Sequence, residues 1–300
     1  MALLDRALVH LLPAVPRPIV RRIADRYIAG EEIDDAVAST AQLNEAGMTA
    51  TIDVLGEEIH HAEEAQEIVD AYHDTLDAIG EHGLDANVSV KPTAVGLKLG
   101  YEVGSANVES LVRHAAETGN FVRIDMEDST TTDDSLRMYR ELRDAGLDNV
   151  GVVLQARLRR TLDDIAALAD LQPNVRICKG IYLEPEEIAY TEFDEIRESY
   201  VRSLEALVEA ASYVGIATHD EFLIAEGRRI AKERYEFQML LGVRASLGRE
   251  LVQEGERLRI YVPFGRQWYE YSLRRLQENP RIAGYVATDT VGRLLSRNGG

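Results

Sequence analysis

Cysteine, lysine and long apolar runs are all scarce in this 300-residue chain, and each scarcity removes a class of function. The single cysteine, Cys178, excludes an internal disulfide and fits a reducing interior. It sits in an apolar segment and reads as a small buried hydrophobe, not a nucleophile. No run of 18 apolar residues occurs, so no span of a membrane is expected. Only four of the 33 basic residues are lysines (Lys91, Lys98, Lys179 and Lys232), against 52 acids and a formal charge of −19. No basic stripe is available to neutralise phosphates, which argues against nucleic acid. Charge alone would not dock the chain on anionic lipid either. Many acids with so few lysines suggest a salt-adapted cytosol, where screening relaxes self-repulsion. Equal stability from low to multimolar salt would refute that expectation.

Several signatures are also missing. No Gly-x-Gly-x-x-Gly follows the first predicted strand, where Asp53-Val-Leu-Gly-Glu-Glu58 has one glycine and two acids. There is no P-loop and no Gly-x-Ser-x-Gly elbow. His219 is the only histidine at a predicted strand end, and no ligand spacing surrounds it, so no metal site is expected. The ligand-like residues of Glu57-Glu-Ile-His-His-Ala-Glu-Glu64 read as an exposed acidic helix.

What the chain does have is a regular alternation of short β-branched runs with amphipathic segments, and 45% hydrophobic content to build a core. Strands are predicted at Ala50–Val54, Asn87–Val90, Asn120–Asp125, Val150–Gln155, Val175–Cys178, Tyr213–Ala217, Glu236–Leu240 and Arg259–Val262. The helices predicted after them are Ala62–Ile79, Val108–Thr118, Asp133–Ala145, Leu158–Leu171, Phe193–Ala211, Asp220–Arg229, Ala245–Glu254 and Trp268–Glu278. The strands read as mostly apolar on both faces, as in a buried parallel sheet. Eight such units predict an α/β fold, a (β/α)₈ barrel of the TIM type, in preference to a doubly wound sheet. Residues 46–285 would form the barrel, residues 1–45 an N-terminal helical arm, and residues 286–300 a tail. The arm, broken by Pro13, Pro16 and Pro18, lacks the cleavage-site pattern of a targeting peptide. It reads as a cap on the barrel, with membrane contact as the alternative.

Chemistry in such a barrel belongs at the C-terminal strand ends. Lys91, Asp125, Gln155, Arg176 with Lys179, Thr218 with His219, Gln238 and Tyr261 all fall there. So many polar groups, each needing a partner if desolvated, imply a lined pocket. Its cationic lining within an acidic chain favours an anionic ligand. Beyond Tyr261-Val-Pro-Phe-Gly265, a helix carries adjacent Arg274 and Arg275. Taken alone, the pair is a carboxylate clamp or a solvated face paired with Glu278. Two chemistries remain open: a Schiff base on Lys91 or Lys179, giving a lyase, or an organic cofactor with phosphates. The turn Lys179-Gly180-Ile181-Tyr182 favours the second, because a glycine lets backbone amides approach a ligand.

Taken together, Thr51–Glu58, Ser89-Val-Lys91, Arg123-Ile-Asp-Met-Glu127, Val175–Gly180, Ile216-Ala-Thr-His219, Tyr235–Leu240 and Tyr261–Gly265 with Arg274-Arg275 resemble the proline dehydrogenase family in its short monofunctional form. The resemblance runs from about residue 10 to 280. It implies a distorted barrel holding FAD, with the eighth helix over the mouth. It implies oxidation of L-proline to 1-pyrroline-5-carboxylate by hydride transfer from C5 to flavin N5, with electrons passed to a membrane quinone. A separate pyrroline-5-carboxylate dehydrogenase would act next. By this resemblance Lys91, Arg274 and Arg275 would bind the proline carboxylate, while Leu240, Tyr261 and Tyr271 would shape the pocket. Asp125 and Arg176 would lie at the reacting atoms. Met126, Gln155, Lys179, Gly180, Ile181, Thr218 and His219 would hold FAD together with Arg176. The chain departs from the family's pattern in Pro92-Thr93 after Lys91 and in Cys178 where valine is usual. The expected location is the cytoplasm, or its membrane face.

Overall fold

Polar and apolar residues alternate along most of the strands, and this period of two decides what the barrel holds. The computed structural model describes residues 20–272, apart from 22, 23, 25, 57, 58 and 270. Strands β1 (Thr49–Val54), β2 (Ala86–Val90), β3 (Val122–Ile124), β4 (Val150–Gln155), β5 (Asn174–Cys178), β6 (Tyr213–Ala217), β7 (Tyr235–Leu240) and β8 (Leu258–Phe264) pair in sequence order, all parallel. β8 returns to β1 and closes the barrel. The fold is thus the expected (β/α)₈ barrel.

Helix α1 (Ile33–Glu45) precedes β1 and packs on β8 and β1. Around the barrel follow α2 (Ala62–Glu81), α3 (Tyr101–Glu117), α4 (Thr132–Asp144), α5 (Thr161–Leu168), α6 (Phe193–Ala210), α7 (Glu221–Ile230) and α8 (Ala245–Gln253). Helix α2 shows why these segments are helical. Ala65, Ile68, Val69, Tyr72, Leu76 and Ile79 recur at three- and four-residue spacing and are all buried. At its start the amides of His60 and His61 donate to the Glu64 carboxylate at 2.7 and 3.1 Å. His60 and His61 therefore lie just before the helix and not on it, and the described residues contain no group of three that could hold a metal ion.

Two helix starts differ from expectation by three residues or more. Helix α3 starts at Tyr101, two turns before Val108, because its first turns pack through Gly104. A Cβ there would lie 2.7 Å from the Leu97 backbone, so this contact leaves no apolar periodicity to read. Helix α5 starts late, at Thr161, because the chain first turns over residues 156–160, held against the end of β5. Ala156 donates to the Cys178 carbonyl and Arg157 to that of Lys179.

The strands are not apolar on both faces. Val88, Val90, Val122, Ile124, Val175, Ile177, Phe237 and Val262 join the hydrophobic layer shared with the helices. The residues between them turn inward and are polar or charged. A barrel interior filled by paired charges needs no apolar face, and only the helix-facing side obeys the buried-strand rule. Described residues just before α1 are tied down as well: Ala29 donates to the Pro263 carbonyl, and Gly265 to that of Gly30. Ala24 and Ile28 cluster with Leu55 and Tyr271. The predicted helix Trp268–Glu278 begins at Trp268, but from residue 273 onward it lies outside the described residues, as do Arg274 and Arg275.

Candidate functional site at the barrel mouth

Strand alternation brings one continuous polar network into the barrel. Low in the interior, Arg259 of β8 donates through Nε to Glu236 of β7 (2.6 Å), which also accepts from Gln238 (2.7 Å). Gln238 accepts in turn from Arg176 Nε (2.6 Å). Arg176 Nη1 then reaches Asp125 at 2.7 Å. Ser89 Oγ (2.8 Å) and Tyr261 Oη (3.0 Å) donate to the same carboxylate. The Arg176 guanidinium also stacks over the Tyr261 ring at 5.4 Å. Asp125, just past β3, is thus hydrogen-bonded to both Arg176 of β5 and Tyr261 of β8.

Beside this network lies the buried pair Lys91–Asp53, with Nζ 2.6 Å from Oδ2. Tyr72 of α2 reaches Asp53 Oδ1 at 3.0 Å and the Ser89 carbonyl at 2.7 Å. Burial alone would lower the Lys91 ammonium, but Asp53 and then Asp125 outweigh it and hold Lys91 above the ordinary lysine value. Tyr271 contributes in the same direction. Burial pushes the Tyr261 phenol well up, and Asp125 adds to it. Burial also acts against the Glu236 carboxylate, but Arg259 overcomes it and the net shift is downward. Deeper still, Arg123 donates to the Asn174 carbonyl and amide oxygen (2.7 and 2.5 Å), and burial brings it down to about 9. The interior column therefore holds four cations, Lys91, Arg123, Arg176 and Arg259, against the carboxylates of Asp53, Asp125 and Glu236. An acidic protein keeps a positive excess inside its barrel, which suits an anionic ligand.

The far side of the mouth is built around Gly180 and Asp220. Gly180 has φ +90, and a Cβ on it would lie 2.6 Å from Gln155 Oε1. Gln155 is held by donating to the Glu127 carbonyl at 2.6 Å. Glu127 itself grips the turn after Lys91 through the Thr93 amide and hydroxyl (2.9 and 2.5 Å), while burial raises its carboxyl against those bonds. The unusual Thr93 therefore has a structural partner. Lys179 pairs with Asp220 at 2.5 Å, and Arg197 of α6 pairs with the same carboxylate at 2.7 Å. Burial opposes the Asp220 charge, but these two cations hold its carboxyl well below the ordinary range. Asp220 links the neighbouring residues too, since its amide donates to Thr218 Oγ1 at 3.1 Å. His219 Nε2 accepts from the Leu240 amide at 3.0 Å, which leaves its proton on Nδ1. Met126 is buried, Leu240 half-buried, and Ile181 exposed. Cys178 is half-buried, and burial pushes its thiol up to about 11, as befits an unreactive side chain.

Sequence reasoning missed Asp53, Tyr72, Glu236, Arg259, Arg197 and Asp220 as partners of site residues. A signal existed for Asp53, Glu236 and Arg259: each alternates with apolar residues inside its strand. Nothing local marks Tyr72, Arg197 or Asp220, which reach the site only through packing of α2, α6 and the β6–α7 turn.

A family scan matches residues 36–288 to the family described as Proline dehydrogenase. Proline dehydrogenase of Deinococcus radiodurans is 38% identical over 274 residues, covering 88% of each chain. Proline dehydrogenase 1 of Bacillus subtilis strain 168 is 34% identical over 269 residues, covering 88% of this chain and 89% of that one. Among solved structures, proline utilization A of Bdellovibrio bacteriovorus, inactivated by N-propargylglycine, superposes with a TM-score of 0.77 at 26% identity. The match covers 86% of this chain and 33% of that structure, so this chain spans about a third of its length.

Proposed function

The chain belongs to the proline dehydrogenase family, and from that membership we propose that it oxidises L-proline to 1-pyrroline-5-carboxylate with FAD as hydride acceptor and a quinone as final acceptor. The observation that carries the reading is the Asp125–Arg176–Tyr261 cluster beside a fully paired Lys91 ammonium. The residues fit a flavin dinucleotide. At Gly180 a positive φ and the crowding of any Cβ against Gln155 keep a backbone cradle bare. The donor set around it, Gln155, Lys179 and Arg176, suits a ring edge and phosphates. Gln155, Met126 and Arg176 would hold the ring, and Lys179, Gly180, Ile181, Thr218 and His219 the remainder. When bound, such a group supplies acceptance of the hydride that leaves C5.

The chain's own residues do the rest. Lys91, with Arg274 and Arg275 by family resemblance, anchors the carboxylate of a rigid five-membered ring. Fixing one end of that ring orients C5, which is catalysis by positioning. Asp53 keeps Lys91 charged at every physiological pH. Arg176 is immobilised by Gln238 and Asp125, so its positive charge is preorganised where negative charge accumulates. Leu240, Tyr261 and Tyr271 narrow the space beside it. Loss of hydride from C5 and of the amine proton leaves the C=N bond of the product. A Schiff base on Lys91 or Lys179 is disfavoured, since attack on a carbonyl needs a neutral amine and both ammonium groups are ion-paired, Lys91 with Asp53 and Lys179 with Asp220.

Anaerobic addition of L-proline should bleach the visible flavin bands of the purified protein, and a soluble quinone should restore them. A colourless protein, or bands indifferent to proline, would overturn the reading. The product would pass to a separate pyrroline-5-carboxylate dehydrogenase, a step checked by coupling the two activities. The protein would lie in the cytoplasm and meet the quinone at the inner face of the cell membrane. Its recovery from an extracytoplasmic fraction would exclude that location.

A further inference from the structure

One guanidinium at the mouth has no counter-ion among the described residues. Arg157 lies two residues beyond Gln155, in the turn that follows β4, where the Ala156 and Arg157 amides donate to the Cys178 and Lys179 carbonyls. A Cβ on Gly180 would come within 3.3 Å of Arg157 Cβ, so the two residues adjoin across the cradle. Among the described residues its side chain makes one hydrogen bond, from Nη1 to the Tyr182 carbonyl at 2.6 Å. Its Nε is buried without a partner. The nearby acid Glu184 is engaged elsewhere, accepting from the Ser129 amide and hydroxyl at 2.7 and 2.6 Å. Burial accordingly lowers the Arg157 guanidinium.

This is an odd arrangement in a chain with 52 acids. Lys179 and Arg197 share Asp220, and Arg160 takes Asp164 and Asp133, yet Arg157 between them takes none. A half-buried charge with an orphaned buried donor is costly unless an anion completes it. A planar fork beside a bare glycine turn matches a phosphate oxygen.

Resting on the flavin reading above, we infer that Arg157 is a cofactor-binding residue, donating from its unpaired guanidinium edge to the pyrophosphate of the dinucleotide over the Gly180 turn. The Tyr182 bond holds the fork in place, and the phosphate supplies the missing counter-charge.

The test is the dissociation constant of FAD from the flavin-stripped full chain, by quenching of flavin fluorescence, for wild type, Arg157→Lys and Arg157→Gln. Matched circular dichroism and melting curves serve as the folding check. Gln retains a donor for the Tyr182 carbonyl but no charge, whereas Lys retains the charge. Arg157→Gln should bind FAD about tenfold more weakly, with Arg157→Lys closer to wild type. The visible spectrum of the bound flavin should be unchanged in both, because the ring is held elsewhere. Wild-type affinity in Arg157→Gln, or equal losses in the two variants, would overturn the assignment while leaving the flavin reading intact. A wild-type protein that binds no flavin would overturn both.

Discussion

Removing the Asp53 charge by Asp53→Asn tests the most enclosed ion pair of the site. Asp53 is 0% and Lys91 8% exposed, with 2.6 Å between Oδ2 and Nζ. At an effective dielectric of about 20, unit charges at that separation attract by about 6 kcal/mol. Desolvating each ion costs several kcal/mol, so the intact pair contributes little net stability. Removing one partner is different, because it strands the other in the interior. Asp53→Asn and Lys91→Met should therefore each cost about 3–5 kcal/mol. For a protein of this size that corresponds to a fall of roughly 10 °C in melting temperature. The double variant strands no ion and should cost less than the sum by at least about 2 kcal/mol. Urea unfolding of the four proteins provides the measurement. Additivity within about 0.5 kcal/mol would refute the coupling. Kinetics extend the test, since Asp53→Asn keeps the Lys91 side chain with the Asp125 charge still acting on it, and should raise the KM for proline less than Lys91→Met does.

Arg176→Met should slow reduction of bound flavin by proline in stopped flow, while leaving flavin bound; normal reduction kinetics would exclude its proposed role. Gly180→Ala places a Cβ 2.6 Å from Gln155 Oε1 at φ +90 and should cost about 1–2 kcal/mol with weaker FAD retention. Unaltered retention on dialysis would contradict the cradle. Asp220 has a depressed carboxyl in the folded state, so its stabilisation is present above the unfolded carboxylate value and lost as pH falls through the folded one. The stability gap between wild type and Asp220→Asn should be constant from about pH 6 to 8 and shrink below about pH 4. A gap that widens in acid would reverse the assigned sign.

Much of this molecule is legible along the chain. Eight β-branched runs separated by amphipathic segments specify eight strand–helix units, because parallel strands need helical crossovers. Polar residues such as Lys91, Asp125, Arg176 and Tyr261 are identifiable from their place at the strand ends, since the fold sends them to one rim. The motif Val122-Arg-Ile-Asp125 even encodes which side chains turn inward. Partner choice is not encoded locally. Lys91 meets Asp53 across 38 residues, and Arg176 meets Gln238 across 62. Each residue is ordinary in its own strand, and only closure of the barrel, with its register of Arg176 opposite Gly215 and Gly215 opposite Glu236, decides which charges neutralise one another. Arg157 is the sharpest case. In sequence it is one arginine among Arg157, Arg159 and Arg160; Arg160 has Asp164 four residues on, but only the tertiary arrangement adds Asp133 to it and leaves Arg157 with no carboxylate among the described residues. Local sequence thus determined the units and the rim, because they follow from periodicity and backbone sterics. The pairing of charges was decided by tertiary structure, because it depends on distances that only the closed barrel sets.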